Sequence, residues 1–156
     1  MTKGLSGRIV GVVLLMAIVA SVTSCALIDD LFGRSTSGRA LWESHQIARY
    51  RYTLERTCFC MPGRLEASVL VENGQVVSIS DVRGDGEPFD GASPSDFKSI
   101  EQLFALIDEA EREGAAVVQV TYDEAFGHPT DIYIDRDERL ADEEIFYRAS
   151  DVVVDP

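Results

Sequence analysis

The sequence has few basic residues, and this scarcity excludes one class of partner. It contains 14 Lys and Arg residues against 27 Asp and Glu residues, for a net charge of −13. Two of the basic residues, Lys3 and Arg8, lie in the first 24 residues, where there is no acidic residue. Without that segment twelve basic residues oppose 27 acidic ones, a net charge of −15. Phosphate backbones repel such a chain, so nucleic acid is excluded as a partner.

The residues from which enzymes build active sites are also scarce. The chain has two histidines and three cysteines, and it contains neither a G-x-S-x-G nor an H-E-x-x-H motif. We therefore predict no catalytic residue and no cofactor. His128, with Asp123 and Asp131 nearby, could be drawn as a general base, but a histidine in a turn is the default interpretation. His45 is expected at the boundary of the core.

The sequence lacks a hydrophobic run long enough to span a membrane comfortably. Its apolar stretch, Ile9 to Ala20, would rise only about 18 Å as a helix, against a hydrocarbon core of roughly 30 Å. Together with the basic residues before it, this stretch predicts a cleaved signal peptide over residues 1–24.

The residues that follow the apolar run, Val22-Thr23-Ser24-Cys25, resemble the lipobox of bacterial lipoproteins. The resemblance implies that Cys25 becomes the new N-terminus, with a thioether-linked diacylglycerol and an N-linked acyl chain. Two or three acyl chains anchor a protein stably. We therefore expect a lipid-anchored protein on the cell membrane or outer membrane, facing away from the cytoplasm. An ordinary signal peptide with an incidental Cys25, or an uncleaved anchor, stays open.

After the lipidation site, residues 25–38 predict a tether, because glycine and serine bury little surface. Residues 39–156 are long enough for one compact domain. Such an acidic domain favours solubility near an anionic surface, and a basic envelope protein is a possible partner.

The domain has the pattern of an α+β fold, with the element order α-β-β-β-α-β-β-β and both helices packed on one face of an antiparallel sheet. Asn73-Gly74 suits a two-residue hairpin turn. Ser99 and Gln102 form a capping-box signal before an apolar helical stripe, and Gly114 follows as the C-cap. The first helix is predicted from Ala40 to about Arg49, and the strands are predicted at Tyr50–Thr57, Leu65–Val71, Val76–Val82, Ala116–Tyr122, Thr130–Asp135 and Ile145–Val154.

Several short strings resemble the bacterial domain-of-unknown-function family 6174, whose members are lipoproteins and secreted proteins. The resemblance covers most of residues 40 to 154 and implies no activity, cofactor or catalytic residue. An aromatic residue is common in that family where this chain has His128, so the resemblance gives His128 no role. The strings are Tyr50-Arg51-Tyr52, Cys58-Phe59-Cys60, Val71 to Val76, Leu103-Phe104, Val120 to Asp123, Gly127-His128-Pro129 and Ile132 to Asp135.

Cys58 and Cys60 are the candidates for chemistry within the domain. With Cys25 lipidated, two thiols remain in an oxidising compartment, which favours a disulfide. An extended strand would hold their Cβ atoms roughly 6 to 7 Å apart, so the bond requires a turn at Phe59. Redox-labile or free thiols and a soft-metal site for Cu(I) or zinc stay open, although a closed zinc site needs four ligands. We predict no metal site.

The acidic run Asp135 to Glu144 suggests a calcium-binding loop but does not match the EF-hand pattern. Arg139 and Leu140 stand where an EF-hand loop needs a ligand and a glycine. A solvated connection between two strands is predicted instead. Two function classes follow from the sequence: a non-enzymatic envelope lipoprotein that binds a partner or serves a structural role, or a thiol-redox or soft-metal-handling protein that uses the Cys-x-Cys motif.

Overall fold

A computed structural model describes residues 37–82, 92–140 and 142–155. Residues 37–44 are helical (α1) and are followed by a three-stranded unit, a 3₁₀ helix at Pro94–Asp96, a second helix (α2, Ile100–Glu113) and three further strands. The strands are β1 (Arg49–Cys58), β2 (Arg64–Glu72), β3 (Gln75–Ser80), β4 (Val117–Tyr122), β5 (Pro129–Asp135) and β6 (Ile145–Val154). In the described part of the chain no helix is long and apolar enough to cross a membrane.

All six strands join one sheet in the order β3-β2-β1-β6-β5-β4, and every neighbouring pair is antiparallel. The first and last strands, β1 and β6, therefore lie beside each other at the centre, while β3 and β4 form the two edges. The predicted α+β class and antiparallel sheet are confirmed. The helix and strand order follows the prediction approximately, because the 3₁₀ helix precedes α2.

Helix α2 has the ends that its sequence predicts. Ser99 accepts a hydrogen bond from the Gln102 backbone N–H, and the Gln102 side chain accepts one from the Ser99 N–H. Gly114 ends the helix with a φ of 75°, in the left-handed region that glycine adopts at low cost. The buried residues of α2 recur at three- and four-residue spacing, so one stripe of the helix faces the core: Ile100, Leu103, Phe104, Ile107 and Ala110.

The turn between β2 and β3 is the predicted hairpin. Glu72 pairs with Gln75, and the two residues between them, Asn73 and Gly74, have φ values of 49° and 73°. Positive φ at both central positions defines the tight turn that matches the twist of the flanking strands. An Asn-Gly dipeptide fits because these residues tolerate that conformation.

A single hydrophobic core contains residues from both helices and from the sheet. In β1 the residues Tyr50, Tyr52 and Leu54 are buried, while the alternate residues Arg51 and Thr53 are more exposed. Because side chains alternate across a strand, one face of β1 supplies the core. This alternation is the pattern from which the strand was predicted.

The first helix lies nearer the N-terminus than the predicted Ala40–Arg49. Gln46 has a φ of 51°, which takes the backbone out of the helical path, and β1 already starts at Arg49. Ser37 and Gly38, which are predicted to belong to the tether, are part of this helix. A Cβ atom on Gly38 would stand 2.7 Å from the Tyr122 ring and 2.9 Å from the Gly127 carbonyl oxygen. The close approach of helix and turn requires glycine here.

The predicted signal peptide, Cys25 and the tether up to residue 36 lie outside the described residues, as do residues 83–91.

Candidate functional site

The cysteine loop, which we define as Cys58–Gly63, connects β1 to β2. The two sulfur atoms lie within bonding distance, and the Cα atoms of Cys58 and Cys60 are 5.2 Å apart. The Cys58 N–H donates to the Gly63 carbonyl oxygen over 2.9 Å, which closes the loop at its base. This geometry is compatible with the disulfide that the sequence predicts, because the chain turns at Phe59 as the pairing requires.

Two apolar side chains of this loop are unusually exposed. Phe59 keeps 76% of its surface accessible and Met61 keeps 97%. Cys60 between them is also exposed. These side chains contribute little hydrophobic stabilisation to the fold, because most of their surface stays in contact with water.

The charged residues beside the loop neutralise one another. Arg64 forms ion pairs with Glu55 at 2.9 Å and with Glu66 at 3.2 Å. Arg56 donates to the Pro62 carbonyl oxygen over 3.3 Å. These cations are thus engaged within the protein, and the loop itself contains no charged residue.

The acidic connection, which we define as residues 136–140 and 142–144, leaves the sheet at the same end. Cys58 pairs with Ile145, the first residue of β6, and Ile145 pairs with Ile134 near the end of β5. Arg139 donates two hydrogen bonds of 2.8 Å to the Asp137 carboxylate, and these bonds lower the pKa of Asp137. The predicted solvated connection is observed where the residues are described.

A second group of polar side chains lies around His128, in the turn between β4 and β5. His128 is buried, and its Nδ1 atom is 4.0 Å from Asp123 Oδ1, too far for a hydrogen bond. The Asp123 oxygen instead accepts from the backbone N–H groups of Ala125 and Phe126, at 3.0 and 2.6 Å. Burial lowers the pKa of His128, and the nearby Asp123 charge opposes this only in part.

His128 also lines a shallow cavity of about 360 Å³, together with Asp131, Arg148 and Ser150. The Ser150 hydroxyl donates to the Asp151 carboxylate over 3.0 Å, and Arg148 pairs with Asp131 at 3.0 Å. Nucleophilic catalysis by serine needs a hydroxyl that donates to a base such as histidine. The arrangement thus leaves His128 as the histidine of a turn, packed edge-on against Trp42 with ring centroids 5.9 Å apart.

His45 contacts the same turn from the end of α1. Its Nε2 atom is 3.1 Å from the Ala125 carbonyl oxygen, and its ring lies 5.3 Å from that of Phe126. Among residues 37–82, 92–140 and 142–155, no three His, Cys, Asp or Glu side chains are grouped to hold a metal ion.

Sequence reasoning identified the cysteines of the loop and missed its apolar residues. Phe59 and Met61 are apolar, and apolar residues are normally expected to be buried. The available signal was their position: they alternate with Cys60 and precede Pro62-Gly63, so they belong to a connection and not to a strand.

The fold and this site define a class of protein: a small α+β domain with a central antiparallel sheet and a cysteine-closed loop between its first two strands. Residues 34–154 match the model of the family of unknown function DUF6174, and the chain belongs to that family. Searches of curated proteins and of solved structures give no match.

Proposed function

We propose that the chain is a lipid-anchored cell-envelope protein whose domain binds a partner without catalysing a reaction. The observation that carries the binding role is the exposure of Phe59 and Met61 on the cysteine loop. Exposed aromatic and methionine side chains are enriched at protein interfaces. The signal-peptide pattern and Cys25 support the anchor, on the cell membrane or outer membrane and outside the cytoplasm.

The anchor is tested by the Cys25→Ala substitution in the full chain. The thiol that would be lipidated is then absent, so we expect loss of labelling by a radioactive or clickable fatty acid and release from the membrane fraction. Cys60→Ala serves as the matched control, because it changes a cysteine outside the lipobox-like string. If the Cys25→Ala variant is labelled and retained like the unmodified protein, the anchoring proposal is wrong.

A second function is favoured by the exposed sulfur atoms of the same loop. Cys60 and the thioether of Met61 both face solvent, and thiolate and thioether sulfur are the ligands that Cu(I) prefers. A thiol-redox or soft-metal-handling protein would therefore use Cys58 and Cys60. The state of these cysteines in protein purified from the envelope discriminates the two functions. A stable disulfide without metal supports binding, whereas stoichiometric copper or a rapidly exchanging disulfide supports the alternative.

A further inference from the structure

The cysteine loop and the acidic connection form one continuous end of the molecule. The pairing of Cys58 with Ile145 and of Ile145 with Ile134 sets β1, β6 and β5 side by side at this end. Neighbouring strands are about 4.8 Å apart, so the two connections emerge next to each other. We call this surface the cysteine end.

The cysteine end holds three of the six large apolar side chains that are exposed in the described part of the chain: Phe59, Met61 and Leu140. The other three are valines: Val77, Val82 and Val153. Large aromatic and flexible thioether side chains bury much surface when a partner covers them. The cysteine end is therefore the part of the described surface best suited to provide anchor residues.

The backbone that carries Phe59 and Met61 is held in place. The Cys58–Cys60 pairing, the Cys58–Gly63 hydrogen bond and the Arg56–Pro62 hydrogen bond all restrain it. A restrained loop loses less conformational entropy when it binds than a free one. The cysteine loop thus presents its two anchors in advance of binding.

The charge around these anchors determines the chemistry of the partner. The acidic connection has five acidic and two basic residues. Both of its cations are engaged within the protein, since Arg136 pairs with Glu113 and Arg139 with Asp137. The charge that is left unpaired on the acidic connection is therefore negative. This charge repels an anionic lipid surface and a second copy of the same acidic end.

We infer that the cysteine end docks a protein whose apolar pocket is rimmed by Lys and Arg residues. Phe59 and Met61 fill the pocket, and the carboxylates of the acidic connection face its basic rim. The inference rests on the proposed binding function and names the chemistry of the partner. It does not depend on lipidation of Cys25.

Site-specific photocrosslinking of the full chain in its native cells tests the inference. The probe is Phe59→p-benzoylphenylalanine, with Val77→p-benzoylphenylalanine as the control at an exposed position on β3. We expect a discrete protein adduct from position 59 and not from position 77. Mass spectrometry of the adduct should identify a partner with Lys or Arg residues beside the crosslinked apolar site.

Two further variants separate the apolar and electrostatic parts. Both variants carry the crosslinker at position 59. The first also has Met61→Ser, which removes an interface anchor, and the second also has Glu138→Lys and Glu143→Lys, which remove the charge complementarity. Each should reduce the yield of the adduct by about tenfold or more, because either loss weakens binding strongly. The matched control carries Glu109→Lys and Glu124→Lys. It reverses the charge at two exposed positions outside the cysteine end and should leave the yield of the adduct unchanged. An adduct with lipid, an adduct with a second copy of the chain, the same adduct from position 77, or no adduct would each overturn the inference. The crosslinking results do not depend on the anchoring test, because each of them can be measured whether or not Cys25→Ala releases the protein from the membrane.

Discussion

At one end of the sheet Glu101 accepts hydrogen bonds from the Trp42 indole and the Tyr50 hydroxyl, while at the other end Phe59 and Met61 meet solvent. The first group, together with Gly74 and His128, forms what we call the aromatic end. There the Trp42 indole N–H and the Tyr50 hydroxyl both find a partner in the Glu101 carboxylate. At the cysteine end the large apolar side chains Phe59 and Met61 stay exposed. The comparison teaches that the polar contacts that stabilise the fold and the exposed apolar side chains that we propose bind a partner lie at opposite ends of one sheet.

At the aromatic end the buried hydroxyl of Tyr50 forms two hydrogen bonds. Tyr50 donates to Glu101 over 2.7 Å and accepts from the Ile100 N–H over 2.8 Å, at the first turn of α2. Burial and the charge of Glu101 raise the pKa of Tyr50 far above its usual value, so the hydroxyl keeps its proton. The network joins α1, β1 and α2.

The largest expected effect comes from breaking this network with Glu101→Ala. Two donors, Trp42 Nε1–H and Tyr50 O–H, then lose a charged acceptor, which should lower the free energy of unfolding by about 2 to 3 kcal/mol. Urea denaturation followed by tryptophan fluorescence measures it. Glu109→Ala, an exposed change on the same helix, is the control and should differ little from the unmodified protein. Equal stability of the two variants would refute the role of Glu101.

The hairpin turn of the aromatic end is the next most sensitive point. Gly74→Val places a β-branched residue at a φ of 73°, which should destabilise the fold by about 1 to 3 kcal/mol. A Cβ atom there meets no other residue closer than 3.7 Å, so the cost comes from the local backbone conformation and not from a clash with neighbouring residues. Asn73→Gly should be tolerated at the neighbouring position. Thermal unfolding checks both variants, and an unchanged melting temperature for Gly74→Val would contradict the turn geometry.

A smaller effect, the dependence of stability on pH, is expected at the aromatic end. The pKa of His128 is lowered in the folded protein, so below about pH 6.5 the unfolded chain binds a proton more readily than the folded one. The free energy of unfolding should therefore fall as the pH decreases through this window, by at most about 1.4 kcal/mol per pH unit. His128→Phe should make the dependence shallower. Identical pH profiles for the two proteins, measured by urea denaturation, would exclude this contribution.

The smallest effect is expected at the cysteine end. Closing a loop as short as that between Cys58 and Cys60 removes little unfolded-state entropy, so changing both to Ser should cost at most about 1 kcal/mol, at the low end of the usual range. Denaturation of the double variant measures this, and mass spectrometry of non-reduced peptides should find the two cysteines linked. A loss as large as that of Glu101→Ala would show that the two ends do not divide stability as described, and free thiols would refute the disulfide.

Local sequence patterns predicted much of the fold, because the interactions behind them involve residues close in sequence. Ser99 and Gln102 predicted the start of α2, Asn73-Gly74 predicted the hairpin, and all are confirmed. The end of α1 was misplaced, since helix propensity continues past Ser44 while Gln46 adopts a positive φ. That conformation depends on how the chain must turn to enter β1.

Interactions between residues distant in sequence could not be predicted from local patterns. Alternation predicts that Tyr50 is buried, but nothing in its neighbourhood indicates that its hydroxyl meets Glu101. For the candidate site, the two cysteines could be paired from their number and expected compartment. Hydrophobicity favours burial of Phe59 and Met61, so their exposure could be predicted only from their position in a connection before Pro62-Gly63.

The position of β1 and β6 at the centre of the sheet has a consequence for how the chain acquires its structure. The central ladder joins the first strand of the domain to the last, so closing it brings together segments separated by most of the domain. Contacts of high sequence separation form slowly, because closing the long intervening loop costs entropy before the contact stabilises it. During synthesis β1 has no partner on one side until Ile145–Val154 has left the ribosome. The domain therefore completes its folding only after Ile145–Val154 has been synthesised.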